Sequence, residues 1–392
     1  MLSRFDKMTD RRGTGSMKWN VEEKELPMWV ADMDFETAPE ITEMLTERVT
    51  NGIFGYTEIE DEWYQAYQNW WSVRHDFEIK KEWLLFCIGV VPAISSIIRK
   101  MTTVGENVVV LTPVYNIFFN SILNNGRNAL ECKLIYKEGV YDIDWRDLEE
   151  KLSDAQTSML LFCNPHNPIG KIWDRTTLEK IGELCEKYHV LVVSDEIHCD
   201  LTKNEKGYIP FAAVSEKCRN NSITCVAPTK AFNLAGIQTA ALIIPDSWIR
   251  HKVNRGLNTD EVAEPNILAA IAPVAAFEKG AEWLDELNSY LWENRKYAEI
   301  YIEKEISDVS VIHAEATYLL WIDCRKIPGD SSELCRFLRE KRGLYLSNGR
   351  VYRNGEGFLR MNLACPLERV MDGLVRLKEG ISEYKKYVLE RC

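Results

Sequence analysis

From residue 83 onward the chain alternates two patterns. Short continuous apolar runs (Trp83–Ile88, Val108–Leu111, Met159–Cys163, Val190–Val193 and Ile223–Ala227) are separated by segments with wider apolar spacing. Runs of that length, apolar on successive positions, predict strands buried on both faces. Between them, a helix is expected from the Gly89 turn to about Thr103. Another is expected over Thr176–Tyr188, whose apolar residues at 178, 181, 184 and 185 share one face. Strand and helix in alternation predict an α/β fold: a large domain whose mostly parallel sheet is covered by helices. Ahead of it lie an irregular arm with an apolar and acidic segment, Pro27–Phe35, and a helix from Pro39 to about Thr50. A glycine-flanked aromatic loop, Asn51–Thr57, precedes an amphipathic helix over 60–75, whose aromatic face is read as core or as a dimer contact. After Gly280 the pattern changes to long charged helices, about 281–304, 331–341 and 366–387. Strands are expected among them near 309–313, 317–322 and 357–363, giving a smaller α+β C-terminal domain. The partition is then 1–45 for the arm and part of the small domain, 46–282 for the large domain and 283–392 for the small domain.

Charge narrows the possible partners. With 48 basic and 60 acidic residues among 392, the formal net charge is −12. That surface disfavours nucleic acid and anionic membranes and favours solubility. The eleven cysteines are scattered singly and form no C-x-x-C pair. They read as reduced, mostly buried thiols of a cytoplasmic protein, with neither a disulfide framework nor a zinc site. The longest apolar stretch, Ile267–Phe277, is too short to span a bilayer.

Ligands in open parallel sheets collect at the carboxyl ends of the strands. Gly89–Pro92, Tyr115, Asn164–Asn167, Asp195–His198 and Thr229–Lys230 each follow a predicted strand, so all five groups should meet at one sheet edge. Lys230 is the pivot. Placed between a buried strand and the small-residue turn Asn233–Gly236, its ammonium is poorly hydrated; desolvation lowers its pKa and makes the amine a nucleophile or base. Taken singly, each of these residues has a plainer reading. A strand-end lysine can snorkel, an aspartate can cap a helix, an asparagine between prolines can form a turn, and a histidine can be a packed core residue.

Asn164-Pro-x-Asn-Pro-x-Gly170, then Asp195, then Lys230 resembles, in order and spacing, the fold-type I pyridoxal-phosphate enzymes of the aminotransferase superfamily. The resemblance covers essentially the whole chain. Pro27-Met-Trp-Val-Ala-Asp-Met-Asp-Phe35 and Ala227-Pro-Thr-Lys-Ala-Phe-Asn-Leu-Ala-Gly236 look like its C–S β-lyase branch, which includes cystathionine β-lyases of the cystalysin type.

The resemblance implies pyridoxal 5'-phosphate as cofactor, bonded to Lys230, which is also the catalytic base. It implies Asp195 at the pyridine nitrogen, Asn167 and His198 near the cofactor's 3'-oxygen, and Ile197 and Tyr115 on the two ring faces. The phosphate is expected at the helix start, on the amides of Val90 and Val91, with the Thr229 hydroxyl beside it. Tyr56 would reach it from the neighbouring subunit of a homodimer. Arg360, in Phe358–Ala364, corresponds to the arginine that pairs with the substrate carboxylate. Many aminotransferases carry an arginine eight residues after the lysine; here Gln238 stands there, as in the lyase branch. The expected activity is cleavage of S-substituted L-cysteines, L-cystathionine first among them, to a thiol, pyruvate and ammonia. An aminotransferase on the same cofactor, or a cofactor-binding regulator with incidental lyase activity, is the alternative.

Overall fold

The computed structural model describes residues 3–203 and 207–391; Cys392, one of the eleven cysteines, lies outside them. The apolar runs form strands as expected. A seven-stranded sheet runs, edge to edge, through Leu84–Cys87, Ala240–Ile243, Ser222–Val226, Leu191–Asp195, Thr157–Cys163, Asn107–Thr112 and Asn128–Lys133. Ala240–Ile243 is antiparallel to both neighbours, while the remaining pairs are parallel. Six strands therefore point one way, and their carboxyl ends share one edge. Ala240–Ile243 and Asn128–Lys133 are additional to the sequence reading. The first is a four-residue, alanine-rich run, and the second is a mixed-polarity strand with half-exposed positions; neither has the long aliphatic run that marks a doubly buried strand.

Helices cover the sheet. Val90–Met101 and Arg175–Lys187 match the expected spans to within a few residues. Pro39–Thr50 starts on its proline, whose missing N–H costs nothing in a first turn. The aromatic face of Asp61–His75 is core in this chain. Trp63, Tyr67, Trp70 and Trp71 are buried, and Phe277 of the helix Ile267–Lys279 packs its ring against Tyr67, Trp70 and Trp71. No helix among the described residues is long and apolar enough to cross a membrane.

A long helix, Ala281–Glu305, leads to a four-stranded antiparallel sheet in the order Ser310–Val311, Leu319–Asp323, Phe358–Asn362, Ser347–Asn348. Ser331–Arg342 and Leu367–Leu389 complete the helices of this part of the chain. The arm joins it: Leu26–Pro27 pairs in parallel with Leu344–Tyr345. One apolar cluster contains Val109, Leu111 and Phe162 of the large sheet together with Trp321 and Phe358 of the small one. The two sheets are thus packed through a common core, and the segment Trp29–Asp34 runs between them.

The ten described cysteines are unpaired, nine of them buried. His75, Cys199 and Asp200 do come together, with ligand-type atoms within 4.8 Å of one another. His75 Nε2 lies 3.0 Å from Asp200 Oδ1, to which the Trp70 indole also donates at 2.9 Å.

Candidate active site

A cavity of about 760 Å³ opens at the strand ends, between the large sheet and the small one. Val90, Val91, Tyr115, Asn167, Asp195, Ile197, His198, Thr229, Lys230 and Arg360 all line it. The sequence groups from the five strand ends meet there, and the small sheet adds the arginine. One boundary moves: Asp195 is the last residue of its strand rather than the first beyond it. Tyr56 is the exception among the candidates. It is fully exposed, at 105%, and does not line this chain's cavity.

Lys230 lies in the turn after Ser222–Val226, partly buried. Its Nζ donates to the Ala31 carbonyl at 2.6 Å, an oxygen that also accepts from the Tyr318 hydroxyl at 3.0 Å. Burial, helped by the positive charge of Arg360, pulls the ammonium's pKa down to about 8. The turn is held in place by Asn233, whose backbone sits in the left-handed region at φ 55°. Its side chain accepts from the Met33 N–H at 3.1 Å and donates to the carbonyls of Met33 and Phe35 at 3.1 and 2.9 Å. An asparagine tolerates that conformation and supplies both a donor and an acceptor.

Asp195 is buried, and its Oδ1 accepts from the Ile197 N–H at 3.2 Å. Desolvation outweighs that bond and the attraction of Lys230, and pushes the carboxyl up to about 7. Burial and the neighbouring cations Lys230 and Arg360 keep His198 neutral, its pKa lowered to about 3. Burial raises the Tyr115 phenol to about 12.

Arg360 stands on Phe358–Asn362 and is buried. Its Nη1 donates to Asn167 Oδ1 at 3.2 Å and its Nη2 to the Trp29 carbonyl at 2.9 Å, while its Nε has no partner among the described residues. The Asn167 carbonyl oxygen is therefore taken by the arginine, and its amide N–H₂ remains the donor. At the other end, the helix Val90–Met101 begins at Gly89. Val90 and Val91 hold first-turn N–H groups without intrahelical acceptors, and Pro92 has none to offer.

Sequence reasoning missed the wall formed by the arm. Trp29, Val30 and Ala31 line the cavity with Tyr345, Leu346 and Ser347. Behind them is a buried ion network. Asp34 accepts from Trp19 Nε1 at 2.8 Å and Arg11 Nη1 at 3.0 Å, and pairs with Lys18 and Arg369 at 3.1 and 3.3 Å. These cations hold its carboxyl below its ordinary range despite burial. The acidic residues of Pro27–Phe35 were the visible signal, but their cationic partners lie up to 335 positions away, as 369 − 34 shows.

The model of the aminotransferase class I and II family matches residues 25–377. Over 385 residues the chain is 41% identical to the cystathionine beta-lyase PatB of Bacillus subtilis, covering 96% of this chain and all of that protein. It is 32% identical to the MalY protein of Escherichia coli K12, covering 96% of this chain and 98% of the relative. Among solved structures, cystalysin from Treponema denticola, which contains pyridoxal 5'-phosphate, superposes with a TM-score of 0.94 at 31% identity. That match covers 98% of this chain and all of the other. The fold is the one these proteins share.

Proposed function

Because the chain belongs to the class I and II aminotransferase family, we propose that it is a pyridoxal-phosphate-dependent C–S β-lyase. Its substrates are L-cystathionine or other S-substituted L-cysteines, cleaved to a thiol, pyruvate and ammonia. The observation that carries the reading is a lowered-pKa lysine in one cavity with a buried, cation-seeking aspartate and a carboxylate-ready arginine. The identity to PatB over the full chain supports the lyase over the aminotransferase, as does Gln238 on the cavity lining where many aminotransferases place an arginine.

The residues fit the cofactor. Asp195, raised to about 7 by burial, is a carboxylate that a pyridinium nitrogen would stabilise. His198 Nδ1 and Arg360 Nε are buried without partners among the described residues, and the Val90 and Val91 amides offer an anion site at a helix N-terminus. When bound, pyridoxal phosphate supplies the electron sink that stabilises negative charge at the substrate's Cα.

The remaining work belongs to the side chains. Arg360 binds the α-carboxylate with its guanidinium edge, which fixes Cα relative to Lys230. Lys230 Nζ, largely neutral above its pKa, takes the Cα proton and can return one to the departing sulfur or to nitrogen. Asp195 would face the ring nitrogen, where a pyridinium would favour its carboxylate form. Asn167 couples the two halves of the site: its oxygen accepts from Arg360, and its amide N–H₂ would be free to donate to the cofactor's 3'-oxygen.

We further propose a cytoplasmic homodimer in which Tyr56 completes the partner's site. Ile53, Phe54 and Tyr56 stand 68%, 63% and 105% exposed on one loop, an apolar surface suited to burial by a second copy. The unpaired described cysteines suit a reducing compartment.

The test is to supply pyridoxal phosphate and L-cystathionine with no 2-oxo acid present. Continuous pyruvate release is expected. A single stoichiometric half-turnover would establish the aminotransferase instead.

A further inference from the structure

The turn that carries Asp195 is held by a second, deeper acid. Asp195 and Ile197 line the cavity, whereas Glu196 between them is fully buried and bonded to residues outside that lining. Its Oε1 accepts from the Ser194 hydroxyl at 2.7 Å, the Phe211 N–H at 2.9 Å and the Asn164 amide at 3.4 Å. Its Oε2 accepts from the Tyr208 hydroxyl. All four partners are neutral donors. A carboxylate, which only accepts, satisfies them together, whereas a protonated acid turns one oxygen into a donor. Burial raises the pKa of Glu196, and these four bonds oppose the rise. The other titratable groups facing it stay neutral, because burial holds up the Tyr208 phenol and the thiols of Cys163, Cys199 and Cys225.

These bonds converge on Asp195. The Asp195 carbonyl accepts from the Asn164 N–H at 2.9 Å, and the Glu196 N–H donates to the Cys225 carbonyl at 2.9 Å. The Cys199 N–H closes the turn on the Glu196 carbonyl at 3.0 Å. Asn164 thus reaches Glu196 with its side chain and Asp195 with its backbone, and Asn167 follows on the same loop. Tyr208 packs edge-on against His75, with ring centroids 5.0 Å apart, and His75 bonds Asp200 at the end of the turn. Charge works in the same sense as geometry. A negative Glu196 repels the Asp195 carboxylate and is among the causes that raise its pKa to about 7. A buried anion destabilised in this way gains more from pairing with a cation.

We propose that Glu196 is a positioning residue that acts through Asp195. As a buried carboxylate it fixes the turn that presents Asp195 to the cavity, and its charge strengthens the hold of Asp195 on the protonated ring nitrogen of the cofactor. The inference rests on the cofactor reading above and holds whichever reaction follows.

The experiment measures the dissociation constant of pyridoxal phosphate for the cofactor-free protein, by visible absorbance, in a double-mutant cycle. Glu196→Gln keeps the size and an acceptor oxygen and removes the charge. It should weaken binding about tenfold in the wild-type background and less than about twofold in Asp195→Asn, with an unchanged circular dichroism spectrum. Tyr208→Phe removes one donor to Glu196 from outside the cavity. It should weaken binding about fourfold in the wild-type background and leave Asp195→Asn unmoved, which tests the proposal even where Glu196→Gln fails to fold. Equal affinity of wild type and Glu196→Gln overturns the proposal. So does the same loss in both backgrounds, because a merely structural role is additive. In either case the cofactor reading stands; a wild-type protein that captures no pyridoxal phosphate overturns both.

Discussion

The two faces of the cavity are built differently. The floor comes from neighbouring parallel strands of the large sheet: Asp195 ends its strand, and Asn167 and Lys230 lie in the turns just past theirs. The roof comes from the arm and the small sheet, where Trp29–Asp34 is held by Arg360, Asn362, Ser347 and a buried ion network. Backbone hydrogen bonds of the sheet fix the floor. The roof is fixed by a short strand pairing and by side chains from distant parts of the chain. The floor is therefore suited to hold groups at set distances for chemistry, and the roof to determine what is admitted and how it is aligned.

Substitutions on the floor should strike turnover hardest. In the proposed reading Lys230 is both the cofactor's anchor and the base, so in Lys230→Ala pyruvate release should fall at least about 10⁴-fold. The circular dichroism spectrum should be unchanged, since the side chain's bond is to a single carbonyl. Asp195→Ala should cost about 10³-fold in kcat while leaving cofactor binding measurable by absorbance. Near-normal turnover would remove that residue from the ring-nitrogen role.

On the roof, Arg360→Lys should lower kcat/KM about 10²-fold through loss of bidentate pairing, mostly as a raised KM. If kcat falls instead with KM unchanged, the arginine belongs functionally to the floor. Asp34→Ala should leave the buried Arg369 charge without a carboxylate and Lys18 with only its longer 3.6 Å contact to Asp32, and destabilise the fold by about 3 kcal/mol, read as a lowered Tm. Its effect on kcat should be smaller than that of either floor substitution, because it touches no reacting atom.

The mildest test concerns pH. Only the neutral amine of Lys230 attacks an aldehyde, and the neutral form accumulates above the pKa. With that pKa lowered to about 8, capture of pyridoxal phosphate by the cofactor-free protein should rise up to about pH 8 and then level. A lysine of ordinary pKa, about 10.4, would keep gaining to beyond pH 10.

The floor was legible because short aliphatic runs, a period of three to four in the helices and polar residues at strand ends are local signals. They placed Lys230, Asp195, Asn167 and the Val90–Val91 helix start on one sheet edge. Ala240–Ile243 and Asn128–Lys133 escaped that reading because one is too short and the other too polar to carry the pattern. Arg360 was placed by resemblance, since an arginine in a strand has no local mark of a ligand.

By itself, then, the amino-acid sequence determined the alternation of strands and helices, and with it the edge where the lysine, aspartate and asparagine meet. Only the tertiary structure decided how Trp29 comes to stack on Tyr345, why Asp34 is neutralised by Arg11, Lys18 and Arg369, and that Arg360 bonds Asn167. The physical reason is range. Secondary structure is written in neighbours within a few residues, whereas desolvated charges and packed rings find partners wherever chain folding places them, and sequence spacing does not encode that distance.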